Sequence, residues 1–251
     1  NKIKVFKTDI FLNKKLSKLK KILKGVNCVF HLAGLADIVP SIERPTRYYE
    51  TNVTGTLNIL EAAKTNKVKK VIYAASASCY GKSPKFPTDE KCKIFTEYPY
   101  ALTKNLGEKL VIHWNKVYKL NTSSFRFFNV YGPRSRTTGA YGAVFGVFLS
   151  QKINNMPLTI VGNGKQTRDF IHVKDLVTAL ILAIKKSKPG EIYNIGYGKE
   201  TSVNKIAKLI SGKKTFIPKR PGEPQRSLSN IRKVKKHLNW SPKISINEGV
   251  A

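Results

Sequence analysis

Acidic residues are scarce in this 251-residue chain, which has 15 Asp and Glu against 46 Lys and Arg and a formal net charge of +31. Such a charge is typical of proteins that bind nucleic acid or an anionic surface. However, the lysines are dispersed along predicted helix faces and loops, and the sequence contains neither an arginine-rich arm nor the cysteine and histidine spacing of a zinc module. We therefore expect no nucleic-acid partner, although the positive field would favour an anionic substrate.

Cysteine and long apolar runs are also rare. The three cysteines, Cys28, Cys79 and Cys92, are an odd number without CxxC spacing, which argues against a disulfide framework and against a metal site. No stretch approaches the roughly 20 apolar residues that a membrane helix needs, and no signal peptide opens the chain. We expect a cytoplasmic protein without a membrane partner.

The sequence does contain an alternation of strand-length apolar runs with helical patterns. Strands are predicted over 3–6, 26–32, 70–75 and 122–127, and helices over 13–24, 44–66 and 99–120. Repeated strand-helix-strand units indicate an α/β fold with a parallel sheet and right-handed crossovers. Ligands of such sheets bind at the carboxyl ends of the strands, which is where the sequence places Ser76 and Asn129.

After residue 130 the chain becomes richer in loops. Helices are predicted over 144–153, 172–185 and 202–210, and strands over 158–161 and 191–195. We interpret residues 1–130 and 167–197 as a Rossmann-like, doubly wound domain that binds a dinucleotide. Residues 131–166 and 198–251 are interpreted as a smaller substrate-binding lobe.

A glycine-rich turn is missing from the start of the predicted Rossmann-like domain. Dinucleotide-binding domains begin with a strand and such a turn, which brings a helix N-terminus to the pyrophosphate. This chain instead opens inside a predicted strand without an initiator methionine, and its last residues, 246–251, resemble the opening of a helix. We expect a fragment that lacks an N-terminal βαβ segment and a C-terminal helix, and that is inactive by itself.

The most informative pair of residues is Tyr100 and Lys104, on the first turns of a predicted helix. Positions i and i+4 share a helix face, so the ammonium can lie beside the phenol. A nearby cation is expected to lower the tyrosine pKa from about 10 towards a range useful for a base. Ser76 would supply a hydroxyl hydrogen bond to the same substrate oxygen. The spacing alone is a weak signal, because tyrosine and lysine are frequent in this chain.

Further motifs surround this pair in a fixed order. They are VFHLAG at 29–34, YETNVTGT at 49–56, SASCYG at 76–81, YALTK at 100–104, RFFNVYGP at 126–133 and RDFIHV at 168–173. Together they resemble the extended short-chain dehydrogenase/reductase family, and within it the NAD-dependent nucleotide-sugar epimerases of the UDP-glucose 4-epimerase type. Each motif is common alone, but their order across nearly the whole chain is specific.

The resemblance implies a reaction, a cofactor and a partner. Tyr100 would take the proton from the C4 hydroxyl of a UDP-sugar while NAD accepts the C4 hydride, Lys104 would hold the nicotinamide ribose, and Ser76 would bridge to the sugar oxygen. Return of the hydride to the opposite face of the 4-keto sugar would invert C4. The helices containing Asn52 and Tyr100 would pair with their copies in a homodimer.

The resemblance also implies two sets of binding residues. The cofactor contacts would be Asp9, Ile10, Leu32, Ala33, Gly34, Asn52, Tyr100, Lys104 and Phe128. The substrate contacts would be Ser76, Ser78, Asn129, Thr159, Val161, Arg168, Arg220, Glu223 and Ser227. Within the second set, arginines suit the diphosphate because a guanidinium binds two oxygens at once, and Thr159 and Val161 would offer backbone contacts to the base. An alternative role for Asn52 is a hydrogen bond at a helix terminus, and His31 is expected to serve packing.

Two positions help to choose among the reactions of this family. Related 4,6-dehydratases place an Asp-Glu pair where this chain has Ala77 and Ser78, and related decarboxylases place a glutamate at Ser78, so both reactions are disfavoured. Ser227 stands where relatives that exclude N-acetyl groups carry a tyrosine, which predicts acceptance of UDP-N-acetylhexosamines beside UDP-glucose and UDP-galactose. Epimerisation of a UDP-uronate remains an alternative, and a basic nucleic-acid-binding protein on the same scaffold is a weaker one.

Overall fold

The central element of the fold is a parallel β-sheet. The computed structural model describes residues 3–12, 15–135, 137, 144–219 and 224–251. The sheet has four strands in the order β1-β2-β3-β7. Its strands are β1 Cys28–His31, β2 Lys70–Ser76, β3 Thr122–Phe127 and β7 Glu191–Ile195. Five of the seven β2 residues are apolar, as is usual for a strand covered on both faces.

Helices cover both faces of this sheet, which confirms the predicted α/β, Rossmann-like fold. Successive strand residues point to opposite faces, so Val71 and Tyr73 of β2 pack with the helices α1 Leu16–Ile22, α4 Gly55–Thr65 and α5 Pro99–Tyr118. Ile72 and its neighbour Phe125 pack with α7 Val173–Lys186 and α9 Arg232–Leu238 on the other face. None of the helices in the described part of the chain is long and apolar enough to cross a lipid bilayer.

Two predicted elements differ from the structure. Residues 3–6 do not form a strand, and Ile3 and Val5 are 91% and 87% exposed, because a strand needs a neighbour to take up its backbone hydrogen bonds. The single helix predicted over 44–66 is instead α3 Pro45–Tyr49, a π-helical turn Glu50–Thr54 and then α4. The π turn inserts an extra residue, a distortion that is frequent near functional sites.

The remaining elements form two small sheets and the helices around them. One sheet consists of β4 Asn129–Tyr131, β6 Thr167–His172 and β8 Glu200–Ser202, and the other of β5 Leu158–Val161 and β9 Lys214–Ile217. They pack with α6 Val144–Ile153, α8 Val203–Ile210 and α10 Ile246–Val250 around Phe148, Ile160 and Ile206. The helix α2 Ile38–Glu43 follows β1. The sequence did not predict the short elements α2, α9, β4, β6, β8 and β9.

Candidate active site

The carboxyl end of β2 and the first turn of α5 form one wall of a cavity of about 580 Å³. Ser76 is the last residue of β2, and its Oγ accepts a hydrogen bond from the hydroxyl of Ser78 at 2.8 Å and from the Ser78 N–H at 3.2 Å. Both serine side chains hydrogen-bond to Tyr100, which follows Pro99 at the start of α5. Proline suits this position because its fixed φ matches a helix and its missing N–H has no helical partner there. The sequence-predicted Ser76 and Tyr100 are therefore brought together.

The pKa of Tyr100 differs in direction from the expectation. Burial raises it above its usual value, although the hydrogen bonds from Ser76 and Ser78 lower it in part. Lys104 does not reverse this, because its ammonium lies over the face of Tyr73, 4.8 Å from the ring centroid. In the protein alone, removal of water from the phenol thus outweighs the helix-face argument made from the i, i+4 spacing.

Lys104 is itself a buried cation, 7% exposed, that lines the cavity. Burial lowers its pKa to about 8, and the negative charge of Glu108, one helical turn further along α5, opposes that shift. The ammonium therefore remains largely charged at neutral pH. It is placed to attract an anionic or hydroxyl-bearing part of a ligand in the cavity.

The loop after β1 approaches α5 closely at Gly34. A Cβ atom at this position would lie 3.1 Å from Asn52 Oδ1 and 3.5 Å from Lys104 Nζ, so a larger residue would crowd both side chains. Asn52 Oδ1 accepts a hydrogen bond from the Leu35 N–H at 2.8 Å, and its Nδ2 donates to the Leu35 carbonyl and to Thr103 Oγ1, each at 3.0 Å. The Asn52 side chain therefore holds this loop in place, and it does not act as a helix-terminal cap.

A second cavity of about 760 Å³ shares Leu35 with the first. Two adjoining cavities suit a ligand with two nucleotide ends, and the predicted cofactor residues other than Asn52, which lines neither cavity, are distributed between them. Asp9, Ile10 and Ala33 line the second cavity, whereas Leu32, Gly34, Tyr100, Lys104 and Phe128 line the first. The residues present therefore fit the two ends of a dinucleotide, although the sequence contains no glycine-rich turn for its pyrophosphate.

The predicted substrate residues that the structure describes line the first cavity, of about 580 Å³. Its lining includes Ser76, Ser78, Asn129, Thr159, Val161, Arg168 and Ser227. Gln151 Oε1 already accepts from the Thr159 N–H at 3.1 Å, and Gln166 Nε2 donates to the Val161 carbonyl at 3.0 Å. A nucleotide base would have to share these backbone groups or displace the glutamines. Arg220 and Glu223 lie outside the described residues.

Sequence reasoning missed the side chains that support the segments lining the first cavity. Arg126 of β3 binds Glu108 of α5, and Asp169 of β6 accepts hydrogen bonds from the backbone N–H groups of Tyr197, Gly198 and Ser229. The signal that was available is a charged residue within an apolar strand, since a buried charge requires a partner. Tyr98, Gln166 and Arg226 also line the cavity without having been predicted.

Comparison with known proteins agrees with the motifs and with this geometry. The profile of the NAD dependent epimerase/dehydratase family matches residues 2–196. A putative UDP-glucose 4-epimerase of Methanocaldococcus jannaschii is 35% identical over 234 residues, which cover 90% of this chain and 75% of that protein. A UDP-glucuronate 4-epimerase of Thermodesulfobacterium geofontis is 36% identical over 235 residues, which cover 90% of this chain and 71% of that protein.

A similar fold is found in the crystal structure of a UDP-glucose 4-epimerase of Thermotoga maritima with UDP-glucose. Its TM-score is 0.92 and its sequence identity 31%, over 98% of this chain and 81% of that chain. The profile match spans more than half of the chain, and the structural match covers the sheet and the cavity described above. The chain therefore belongs to the NAD-dependent epimerase/dehydratase family, whose cofactor is NAD.

Proposed function

We propose that this protein catalyses epimerisation at C4 of a UDP-sugar through a 4-keto intermediate. The observation that carries the proposal is the convergence of the Ser76, Ser78 and Tyr100 side chains on one wall of the cavity, with Lys104 on the next turn of the same helix. Three hydroxyl groups and a buried cation around one point suit reversible removal of a proton from a sugar hydroxyl. The catalytic residues are proposed to be Ser76, Tyr100 and Lys104.

Each side chain of this wall has a separate role in the proposed reaction. When bound, NAD supplies a reversible acceptor for a hydride, and Leu32, Gly34, Lys104 and Phe128 would hold its reactive end. Tyr100 removes the proton of the C4 hydroxyl and later returns it, a role that typically contributes about 10²- to 10⁴-fold to the rate. Hydrogen bonds with Ser76 and Ser78 lower the pKa of Tyr100 in part and so favour the phenolate form, against the larger effect of burial. The charged Lys104 adds to the positive potential of the cavity.

The residues after Ser76 favour epimerisation over elimination. Ala77 has no titratable group, and the Ser78 hydroxyl is already bound to Ser76 Oγ. Elimination of water across C5 and C6 needs both an acid and a base near C6. Dehydration and decarboxylation are therefore the less favoured members of the family's repertoire for this chain.

Two acidic side chains of the cavity weigh against a uronate, whereas the cations Lys104 and Arg168 on the same lining are assigned above to the cofactor and to the diphosphate. Asp37 and Glu97 line the cavity and would repel a sugar carboxylate. Arg226 also lines it, but its Nε is bound to both carboxylate oxygens of Glu200, at 2.7 and 2.9 Å. We therefore rank UDP-uronate epimerisation second, as the alternative suggested by the similarity to a UDP-glucuronate 4-epimerase.

The test of the proposal is incubation with NAD and a panel of UDP-sugars: UDP-glucose, UDP-galactose, their N-acetylhexosamine counterparts and UDP-glucuronate. Any longer protein that the gene encodes should be compared with the 251-residue chain, which we expect to be inactive without a glycine-rich turn. C4 epimers without net NADH, resolved by NMR, are the expected result. Accumulation of a 4-keto-6-deoxy sugar or release of carbon dioxide would contradict it.

Quaternary structure, domain division and location are further parts of the proposal. We infer a homodimer through the helices that contain Asn52 and Tyr100, since Val117 and Tyr118 on α5 are 50% and 45% exposed. Light scattering of Val117→Lys beside the parent tests it, because a charge in that interface should yield monomers.

Residues 1–130 and 167–197 would bind NAD, and 131–166 and 198–251 the nucleotide sugar. The three cysteines are free thiols, as is usual in the cytoplasm, where we place the enzyme.

A further inference from the structure

A buried ion pair lies behind the catalytic side chains. The side chains of Glu108 and Arg126 are each 4% exposed. Arg126 Nη2 donates to Glu108 Oε1 at 2.6 Å, and Arg126 Nε donates to Oε2 at 3.0 Å, so the guanidinium binds the carboxylate through two parallel hydrogen bonds. Ser124 Oγ donates to Oε2 at 2.9 Å. These hydrogen bonds fix the orientation of the Glu108 carboxylate.

The free edge of the guanidinium reaches the turn that carries the serines. Arg126 Nη1 donates to Tyr80 Oη at 2.8 Å, and Tyr80 Oη donates in turn to Asn194 Oδ1 at 2.7 Å. Tyr80 ends the short 3₁₀ turn Ala77–Tyr80 that follows Ser76 and includes Ser78. Its hydroxyl both accepts and donates a hydrogen bond, so the position of the turn is defined relative to β3 and β7.

The same pair is connected to Lys104. Glu108 is four residues after Lys104 on α5, and residues at this spacing are neighbours on a helix surface. The titratable groups that act on the ammonium belong to three elements: His31 on β1, Tyr73 on β2 and Glu108 on α5. Within this set Glu108 is the acid that opposes the effect of burial on Lys104.

We propose that Glu108 and Arg126 are positioning residues of the site. Their ion pair locks the helix that carries Tyr100 and Lys104 to the turn that carries Ser76 and Ser78, and it keeps a carboxylate beside Lys104. The catalytic part of this inference rests on the proposed function. The electrostatic part concerns the chain alone.

A merely structural pair would behave differently from a positioning pair. Replacing a buried ion pair by apolar residues of similar volume is often neutral or stabilising, whereas removing one partner leaves an unpaired buried charge. The double variant Glu108→Leu with Arg126→Met should therefore fold. If the pair only stabilises the fold, this variant should keep the parent's kcat.

The first measurement does not require catalysis. The rate at which acetic anhydride acetylates Lys104, followed by mass spectrometry across pH, gives the midpoint of its deprotonation. The midpoint should lie near pH 8 in the parent, which is the pKa set by burial and Glu108. It should fall by about one unit in Glu108→Gln, since a nearby opposite charge shifts a pKa by about 1–3 units, and by less in the double variant, which also removes the positive charge of Arg126.

The matched control is Glu61→Gln, because Glu61 also pairs with a lysine on its own helix but lies away from the cavity. Its Lys104 midpoint should equal that of the parent. A folded Glu108→Gln variant with the parent's midpoint would overturn the proposal. A shifted midpoint in a protein that epimerises no UDP-sugar would support the positioning role and contradict the proposed function.

The second measurement is steady-state epimerisation by the double variant, made in whichever chain shows the parent activity. We expect kcat to fall about 100-fold with little change in KM, because small misplacement of reacting groups has an effect of this size. The melting temperature should stay within a few degrees of the parent's. Unchanged kcat in this variant would assign the pair to folding alone.

Discussion

The two walls of the main cavity are built on different principles. The catalytic wall consists of the carboxyl ends of β2 and β3 and the start of α5, and its polar side chains are fixed by hydrogen bonds to one another. The lobe wall comes from α6, β5 and residues 224–227, and much of its surface is apolar, including Val144, Val147 and Phe148. Under the proposed function, the difference teaches that precise positions are built where a proton moves, whereas shape and size suffice where a substituent is selected.

The largest expected effect comes from removing the proposed proton acceptor of the catalytic wall. Tyr100→Phe removes the proton acceptor while keeping the ring, so epimerisation should fall by about 10³-fold. The melting temperature should change little, since only hydrogen bonds with Ser76 and Ser78 are lost. The matched control is Tyr118→Phe, a half-exposed position on the same helix, which should retain activity. Comparable losses in both variants would contradict the role of Tyr100.

The next effect concerns the junction between the two walls. Asp169 is buried and accepts hydrogen bonds from the N–H groups of Tyr197, Gly198 and Ser229 and from the Ser229 hydroxyl. An asparagine offers one acceptor oxygen and adds an NH₂ group among donors. Asp169→Asn should therefore lower the free energy of unfolding by about 3 kcal/mol.

Denaturant unfolding of Asp169→Asn beside Asp89→Asn would test this prediction. Asp89 accepts one backbone hydrogen bond, from the Lys91 N–H at 2.9 Å, so its amide variant should lose much less stability. Equal losses in the two variants would show that the Asp169 cluster contributes no more than a surface turn. A larger loss at Asp169 would confirm that this carboxylate stabilises the segment that carries Ser227 and Ser229.

A third effect separates the stability of the catalytic wall from its activity. Burial lowers the pKa of Lys104 from 10.5 to about 8, so the folded state binds fewer protons than the unfolded state between these pH values. Stability contributed by this group therefore rises with pH through that window. Below pH 8 the buried charge destabilises the fold by at most about 3 kcal/mol, less about 1 kcal/mol from its contact with Tyr73.

Lys104→Met should consequently be more stable than the parent at pH 7, by about 2 kcal/mol, while losing activity. The difference should shrink as the pH rises from 8 to 10.5. Denaturant unfolding at several pH values measures it, with Lys109→Met, an exposed position on the same helix, as the control. A Lys104 variant that is less stable than the parent at pH 7 would contradict the assigned burial cost.

The smallest effect belongs to the lobe wall. Ser227 lines the cavity, and Ser227→Tyr should fill the space beside the sugar C2 substituent. We expect kcat/KM for UDP-N-acetylglucosamine to fall about tenfold relative to UDP-glucose, the scale typical of selection by size. Ser227→Ala keeps the space and should preserve the ratio of the two substrates. An unchanged ratio in the tyrosine variant would remove this position from substrate selection.

Local patterns predicted the elements that carry the candidate site. The bounds of β3, β5, β7 and α6 agree with the sequence prediction. The position of Tyr100 followed from Pro99 and the helical period after it, and Ser76 from the end of an apolar strand. These features depend on neighbours in the chain, so they are visible without the fold.

The interactions between distant segments could not be predicted in the same way. Arg126 meets Glu108 across 18 positions and Tyr80 across 46, and both contacts depend on the register of β2 with β3. The direction of the Tyr100 pKa shift depends on how much water the folded protein excludes, which the i, i+4 spacing does not contain. The split of the predicted helix over 44–66 likewise accompanies a contact between distant segments, that of Asn52 with Leu35.

Because of the π-helical turn Glu50–Thr54, the contacts of this segment depend on its exact number of residues. Each residue of a regular helix rotates the next by about 100°, so one extra residue redirects everything that follows it. Here it lets Asn52 reach Leu35 while Gly55 faces Ile10, where a Cβ would come within 2.8 Å of the Ile10 side chain. Removing one residue from this turn would rotate the two contacts out of phase, so a deletion should harm this segment more than any conservative substitution within it.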